Sequence, residues 1–377
     1  MKSKVSLIRS ILTLLLLSSS AVLLEAASPK IQPAPLRNHE MLLEASRSGI
    51  QEVKLVARAK TSSSVINKPP GRTLYRHKFW KVEGKTYDIP VRYNSKVKRI
   101  IRRLTTKKRK QVIKGMRHSG KYMPMMLKML HEAGMPLDLV NMVSAESNFN
   151  VRARSKKSAV GLWQFIASTG RLYGLKINRW IDERRDPILS TKAAITYLKH
   201  LYGLFGDWEL AMAAYNTGEG RVKRAIKLAK RKGQKHNYSS LRLPRETRNY
   251  VPAIMALSVI YKNPERYGFG HVKKMPPMDE TQGNLPVAFS LEETAKRSKM
   301  SFRTLRELNP ALYLGVPPMT QKNYSFYIPQ LHYQDLLASL DKNPEHSKQW
   351  NRSYNTLLGN SARVTRILEK FGAPVYF

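Results

Sequence analysis

Residues 139–150 read L-V-N-M-V-S-A-E-S-N-F-N. Apolar and small residues follow a helical pattern as far as Ala145, and then a carboxylate, Glu146, interrupts it. Helices bury such a face, and carboxylates are almost never fully buried without a partner. The stretch is therefore the end of a core-facing helix. Its acid is a solvated residue, a cap for a nearby loop, or a working group.

The same helical period continues outward. Met123–His131 reads as a helix closed by Gly134, and Pro136 sits where a first-turn proline belongs. Thr191–Phe205 is a long helix stopped at Gly206, and Glu209–Tyr215 is stopped by T-G-E-G. Arg221–Lys230 and Arg245–Tyr261 complete the set. No strand alternation appears between residues 111 and 268. The expected class is mainly α, with an all-α domain of roughly 150 residues. Upstream, Lys96–Lys110 is strongly basic, with apolar positions at Val97, Ile100, Ile101 and Leu104, and reads as a solvated helix packed by one stripe.

The flanks differ in composition. Lys2, Lys4 and Arg9 precede the apolar run I-L-T-L-L-L-L (11–17), and Ala26-Ala27 offers a small-residue cleavage site. Residues 1–27 thus have the layout of a secretory signal peptide. Residues 28–95 form a basic, partly disordered region in which 76–93 reads as an extended arm. A proline-punctuated linker occupies 271–284. Residues 285–332 follow the order strand, helix, turn, helix, Asn-Pro stop, loop, strand, and 346–377 repeats the first half of that plan.

Charge narrows the partners. The 377-residue chain carries 67 basic and 26 acidic residues, a net charge of +41. Loss of the leader, with Lys2, Lys4, Arg9 and Glu25, leaves +39. Such a chain adheres to polyanions. A secreted one meets cell-wall polymer or an anionic envelope surface rather than nucleic acid, for which no recognisable motif is present. There is no cysteine, hence no disulfide, no thiolate metal site, no catalytic thiol and no lipid-anchoring cysteine of a lipoprotein. Secretion across the inner membrane, to the periplasm or cell envelope, is the expected route.

Metal and cofactor chemistry has little to work with. The histidines show no H-E-x-x-H spacing, no G-x-S-x-G elbow occurs, and T-G-E-G-R (217–221) lies between two helices rather than after a strand. Acid chemistry remains. Partial burial would raise the pKa of Glu146 and keep it protonated near neutrality, as cleavage of a glycosidic bond requires. Three later stretches bring aromatic and amide groups into turns and helix ends: G-L-W-Q-F (161–165), A-A-Y-N-T-G-E-G (213–220) and R-E-T-R-N-Y-V-P (245–252). Aromatics stack on sugar faces and amides bind hydroxyl and N-acetyl groups. Taken singly, Trp163 and Phe165 read equally well as core, and Tyr215-Asn216 as a helix end.

Together, Glu146-Ser147, Gly161-Leu162-Trp163-Gln164 and Ala214-Tyr215-Asn216 resemble, in order and spacing, the soluble lytic transglycosylase domain of lytic transglycosylase family 1. The longer strings around them resemble the membrane-bound lytic murein transglycosylases within that family, over residues 118–268. The resemblance implies a goose-type lysozyme-like catalytic domain, assigned here to 96–270. The tail segments 285–332 and 346–377 are similar to LysM peptidoglycan-binding modules, through L-R-E-L-N-P (305–310) and G-N-S-A (359–362). The second of these is truncated.

The implied activity is non-hydrolytic cleavage of the MurNAc-β-1,4-GlcNAc bond of peptidoglycan, without cofactor or metal. Glu146 would protonate the bridging oxygen and then take the proton of the muramoyl C6 hydroxyl as it closes a 1,6-anhydro ring. Ser147 would orient nearby groups. Gln164, Tyr215 and Asn216 would line the groove, with Tyr250 beside the carboxyl. Glycan strands are the implied partner. A lysozyme-type muramidase would need a second carboxylate about 5–9.5 Å away. Asp182, Glu183, Asp186, Asp207, Glu209 and Glu219 are available, mostly at helix starts and turns where carboxylates commonly cap. The remaining alternative is a wall-binding protein without catalysis.

Overall fold

A computed structural model describes residues 79–341 apart from 280, 286–289, 313 and 318–323. The leader, the region 28–78 and the segment 346–377 lie outside the described residues.

A helical core is built on α8 (Arg245–Lys262), which buries Tyr250, Val251, Ile254, Met255, Val259 and Ile260. Against it pack α1 (Ser95–Thr105), α3 (Asn141–Ser147) and α6 (Trp208–Thr217). Helix α6 is L-A-M-A-A along its buried length, and such small residues let helices approach closely. Helix α5 (Pro187–Phe205) covers its other side. Local chemistry sets these boundaries. The Asp186 carboxylate accepts from Ile188 N and Leu189 N, Pro187 opens α5, and Gly206 closes it in the left-handed region. Asp207 caps α6 in the same way, and Gly218 ends it before α7 (Glu219–Arg231).

Helix α2 is longer than its periodicity suggests, running Arg109–Glu132 through Gly115, Gly120 and Pro124. Its glycines serve packing. A Cβ on Gly120 would lie 2.2 Å from the carbonyl oxygen of Met275. That contact corrects the expected linker: Met275 N and Met278 N donate to Arg117 O and Lys121 O at 2.9 Å, and Met278 is buried. Part of 271–284 is therefore strapped along α2.

The expected arm is also different. Strands β1 (Trp80–Val82) and β2 (Lys85–Tyr87) pair antiparallel around Glu83-Gly84, both with positive φ, which suits a two-residue hairpin. Tyr87, Ile89 and Val91 enter the same core as the helices. Asp88 accepts from Asp138 N, and its own N–H donates to the Asp138 carboxylate, both at 2.9 Å.

At the other end, β3 (Gln282–Leu285), α9 (Leu291–Arg297), α10 (Phe302–Leu308) and β4 (Tyr324–Tyr327) follow in the order read from the sequence, the first strand starting earlier than expected. β3 and β4 pair antiparallel. Asn309 explains the Asn-Pro stop. Its amide donates to Leu305 O and Tyr327 O and accepts from Tyr327 N, pinning the end of α10 to β4. A last helix, α11 (Gln330–Asp341), follows.

This tail unit does not stand clear of the helical core. Ile181 is fully buried among Leu291, Leu305, Leu312 and Phe326. Asp182 N donates to Ala311 O at 2.9 Å, and the Tyr327 hydroxyl donates to the Asp186 carboxylate at 2.9 Å. No helix among the described residues is long and apolar enough to cross a membrane.

Candidate active site

Glu146 lies in the last turn of α3, where the chain leaves through two consecutive left-handed residues, Asn148 (φ 51°) and Phe149 (φ 56°). Its side chain meets Tyr250 from α8, whose hydroxyl donates to Glu146 Oε1 at 2.5 Å. Burial pushes the Glu146 carboxyl up to about 7. The hydrogen bond from Tyr250 pulls against that shift, and the nearby charge of Glu246 adds to it. Burial, together with the Glu146 charge, holds the Tyr250 and Tyr215 phenols protonated, well above their ordinary range.

The G-L-W-Q-F loop is fixed from four directions. Ser147 Oγ donates to Leu162 O at 2.8 Å, joining the end of α3 to the loop. The Tyr215 hydroxyl, from α6, donates to Trp163 O at 2.8 Å. Trp163 itself is fully buried, and its indole N–H donates to Thr191 Oγ1 on α5 at 2.9 Å. From behind, the Arg184 guanidinium pairs with Asp182 at 2.8 Å and donates to Ser158 O and Phe165 O. Gly161 has φ +86°, and a Cβ there would sit 1.8 Å from Arg184 O, so only glycine fits. Gln164 is also left-handed (φ 50°), and its amide nitrogen donates to Gly161 O at 2.8 Å.

These elements enclose a cleft of about 560 Å³. Glu146, Gln164, Tyr215 and Asn216 all line it, as the sequence reading groups them. Asn216 Oδ1 accepts from Thr247 Oγ1 at 2.8 Å, which fixes its amide. Ser147 and Tyr250 are buried and do not line it: Tyr250 meets the lining through its bond to Glu146, and Ser147 bonds Leu162 O in the loop that carries Gln164. One wall is aromatic. Tyr197 packs 5.2 Å from Tyr215 and 4.7 Å from Tyr173 between ring centroids, and Phe165 meets Tyr215 at 6.1 Å. Tyr197, Thr169, Lys156, Lys157 and Glu246 also line the cleft, and sequence reasoning missed all five. Thr169 belongs to α4 (Ala167–Leu172), a short helix with no strong period.

The six carboxylates weighed as a second catalytic group are occupied elsewhere. Asp182 pairs with Arg184, Glu183 accepts from Lys176 N, and Asp186 and Asp207 cap helices. Glu209 holds Arg92 through two guanidinium nitrogens, and Glu219 pairs with Lys223 and His200. Among the described residues lining the cleft, Glu246 is the other carboxylate. It is exposed in the first turn of α8, one helical turn before Tyr250. No three His, Asp or Glu side chains among the described residues gather as a metal site would.

Residues 123–238 match the family model of the transglycosylase SLT domain. The chain carries an SLT domain. The match takes in Glu146, Gln164, Tyr215 and Asn216, and stops short of Glu246 and Tyr250. Over 224 residues the chain is 38% identical to membrane-bound lytic murein transglycosylase D of Escherichia coli (strain K12), covering 58% of this chain and 48% of that protein. It is 36% identical over 121 residues to peptidoglycan transglycosylase gp16 of Escherichia phage T7, covering 31% of this chain and 9% of that one. The chain spans about half the length of the first curated relatives it matches. Among solved structures, an inactive mutant of lytic transglycosylase Slt from Pseudomonas aeruginosa is similar over 38% of this chain and 24% of that one, at 23% identity and a TM-score of 0.30.

Proposed function

We propose that the protein is a peptidoglycan lytic transglycosylase, in which Glu146 acts first as acid and then as base on the MurNAc-β-1,4-GlcNAc bond. The observation that carries this reading is the Glu146 carboxyl itself, raised to about 7 at a cleft lined by Gln164, Tyr215 and Asn216. A group with that pKa is populated in both protonation states near neutrality, so it can give a proton and take one back without a second catalyst. Its acid form protonates the leaving oxygen. Its base form then accepts the proton of the C6 hydroxyl, which attacks C1 and leaves a 1,6-anhydro end. Tyr250 keeps the carboxyl in place throughout, and Ser147, through Leu162 O, holds the loop that carries Gln164 in register with α3.

The likeness of the SLT domain to proteins named murein and peptidoglycan transglycosylases supports the same substrate class. The excess of positive charge supports an envelope location after secretion, held on an anionic surface in a salt-sensitive way. One observation favours a second reading. Glu246 lines the cleft and could serve a hydrolytic muramidase as its second carboxylate.

Mass spectrometry of sacculi digested by the wild type and by Glu146→Gln separates these readings. Anhydro-ended muropeptides that vanish in the variant are the expected result. Reducing ends without anhydro products would overturn the lytic step in favour of hydrolysis. Unchanged turnover in Glu146→Gln would remove both.

A further inference from the structure

The cleft carries a charged feature that acid–base chemistry at Glu146 does not use. Lys156 and Lys157 line its edge, and both are exposed. Neither makes an ion pair with any carboxylate among the described residues. In a strongly basic chain many lysines are merely solvated. These two sit on a preset turn. Ser155 N donates to Ala159 O, and Ser158 N donates to Ser155 O. Ser155 Oγ accepts from Lys157 N and Ala159 N. Ser158 is left-handed at φ 58°. The buried Arg184 bolts the turn down by donating to Ser158 O at 3.0 Å. Their backbone is thereby set beside Gln164 and Phe165 in one cleft lining.

Two ammonium groups held at a cleft edge without a protein counter-ion await an anion. The glycan rings are neutral. Negative charge on a peptidoglycan strand resides on what hangs from the lactyl ether of the muramoyl residue: peptide carboxylates, or the lactyl carboxylate where peptide is absent. Lysine is a compact, hydrated point charge on a flexible stem, suited to a carboxylate whose position varies, whereas fixed bidentate recognition would call for arginine. We propose that Lys156 and Lys157 form a carboxylate-reading lip that selects strands by the anionic substituent on the lactyl group. This inference rests on the peptidoglycan reading of the cleft.

The test compares the full-length protein with the Lys156→Ala/Lys157→Ala double variant and the Lys156→Arg/Lys157→Arg variant. Affinity is measured by titration in a Glu146→Gln background, so that the lip is tested even if no turnover occurs. Four ligands are used: peptide-bearing strands, the same strands with carboxylates amidated, strands stripped of peptide by an amidase, and an uncharged N-acetylglucosamine oligomer. Two exposed ion pairs of ordinary strength amount to roughly a three- to tenfold effect. The double Ala variant is expected to lose that much on at least one carboxylate-bearing ligand, with the Arg variant restoring it and added salt abolishing the difference. Loss on peptide-bearing but not stripped strands assigns the anion to the peptide. Loss on stripped strands assigns it to the lactyl carboxylate. Equal loss on the amidated strands or the neutral oligomer, or no loss on any ligand, overturns the proposal. Failure of the transglycosylase reading would show separately, as absence of anhydro products from the wild type.

Discussion

Tyr250 and Glu146, 104 residues apart in sequence, share a 2.5 Å hydrogen bond across the junction of α8 and α3. The bond favours the ionised carboxylate and so restrains the upward push of burial on Glu146. Tyr250→Phe therefore raises the Glu146 pKa further. In a mechanism that begins with proton donation, the alkaline limb of the pH–rate profile tracks that pKa. The variant is expected to lose roughly ten- to a hundredfold in rate, as for a lost hydrogen bond to a charged group, while its alkaline limb moves to higher pH. Turnover of sacculi from pH 5 to 9 reads both effects. A limb that moved down would contradict the assignment.

Glu146 also links activity to stability. Its carboxyl titrates near 7 in the fold, against about 4.5 for the free group. Between those values the folded chain binds more protons than the unfolded one, so stability falls as pH rises from about 4.5 through 7. Glu146→Gln removes this contribution. The variant is expected to be more stable than wild type at pH 8, on the order of 1–3 kcal/mol, with the difference vanishing near pH 4. Asp138 and Asp186, also raised by burial, to about 7 and about 6, are present in both proteins and cancel in the comparison. Paired thermal melts at the two pH values provide the measurement.

Glu246 decides between one carboxylate and two. If Glu146 works alone, Glu246→Gln changes rate by less than about tenfold and leaves the products anhydro-ended, since a rim charge contributes modestly. If Glu246 is a second catalytic carboxylate, loss of ~100-fold or more is the expectation for general acid–base groups. Kinetics on purified strands, with product mass spectrometry, distinguish the two outcomes.

Gly161 tests how strictly the loop is built. Alanine there would meet the carbonyl of Arg184 at 1.8 Å from a backbone with φ +86°. The substitution combines a clash with left-handed strain, for an expected cost of more than ~2 kcal/mol. Trp163, fully buried between the loop and α5, should report the damage by fluorescence before unfolding is global.

Much of this arrangement was legible in advance, for local reasons. The ends of α5 and α6 are read from Gly206 and the T-G-E-G turn, whose chemistry acts within a few residues, whereas α5 starts at Pro187, four residues before the expected Thr191. Glu146, Gln164, Tyr215 and Asn216 were legible as a set through the order of their motifs. What stayed hidden depends on long-range packing. The three-residue strands at 80–82 and 85–87 are too short to show alternation, and their anchor, Asp88, has its partner fifty residues away. Glu246 in a first helical turn looks like an ordinary partner of the helix dipole. Tyr197 lies in an apolar helix without any mark that sets it apart from core. Of the six carboxylates considered in place of Glu246, Asp182, Asp207 and Glu219 find partners within four residues, whereas Glu209 meets Arg92, 117 residues away.

The strip from Ile181 to Asp186 faces two ways. On one side it receives Leu312, Ala311 and Tyr327; on the other, Arg184 supports Gly161, Ser158 and Phe165 at the cleft. The tail is thus not an interchangeable attachment. A chimera that exchanged residues 282–341 for an unrelated unit would uncover Ile181 and take the Tyr327 hydroxyl from Asp186, next to the arginine that holds the 158–165 loop. Modular recombination of this protein has its seam inside the helical domain, upstream of the segment that looks like a linker.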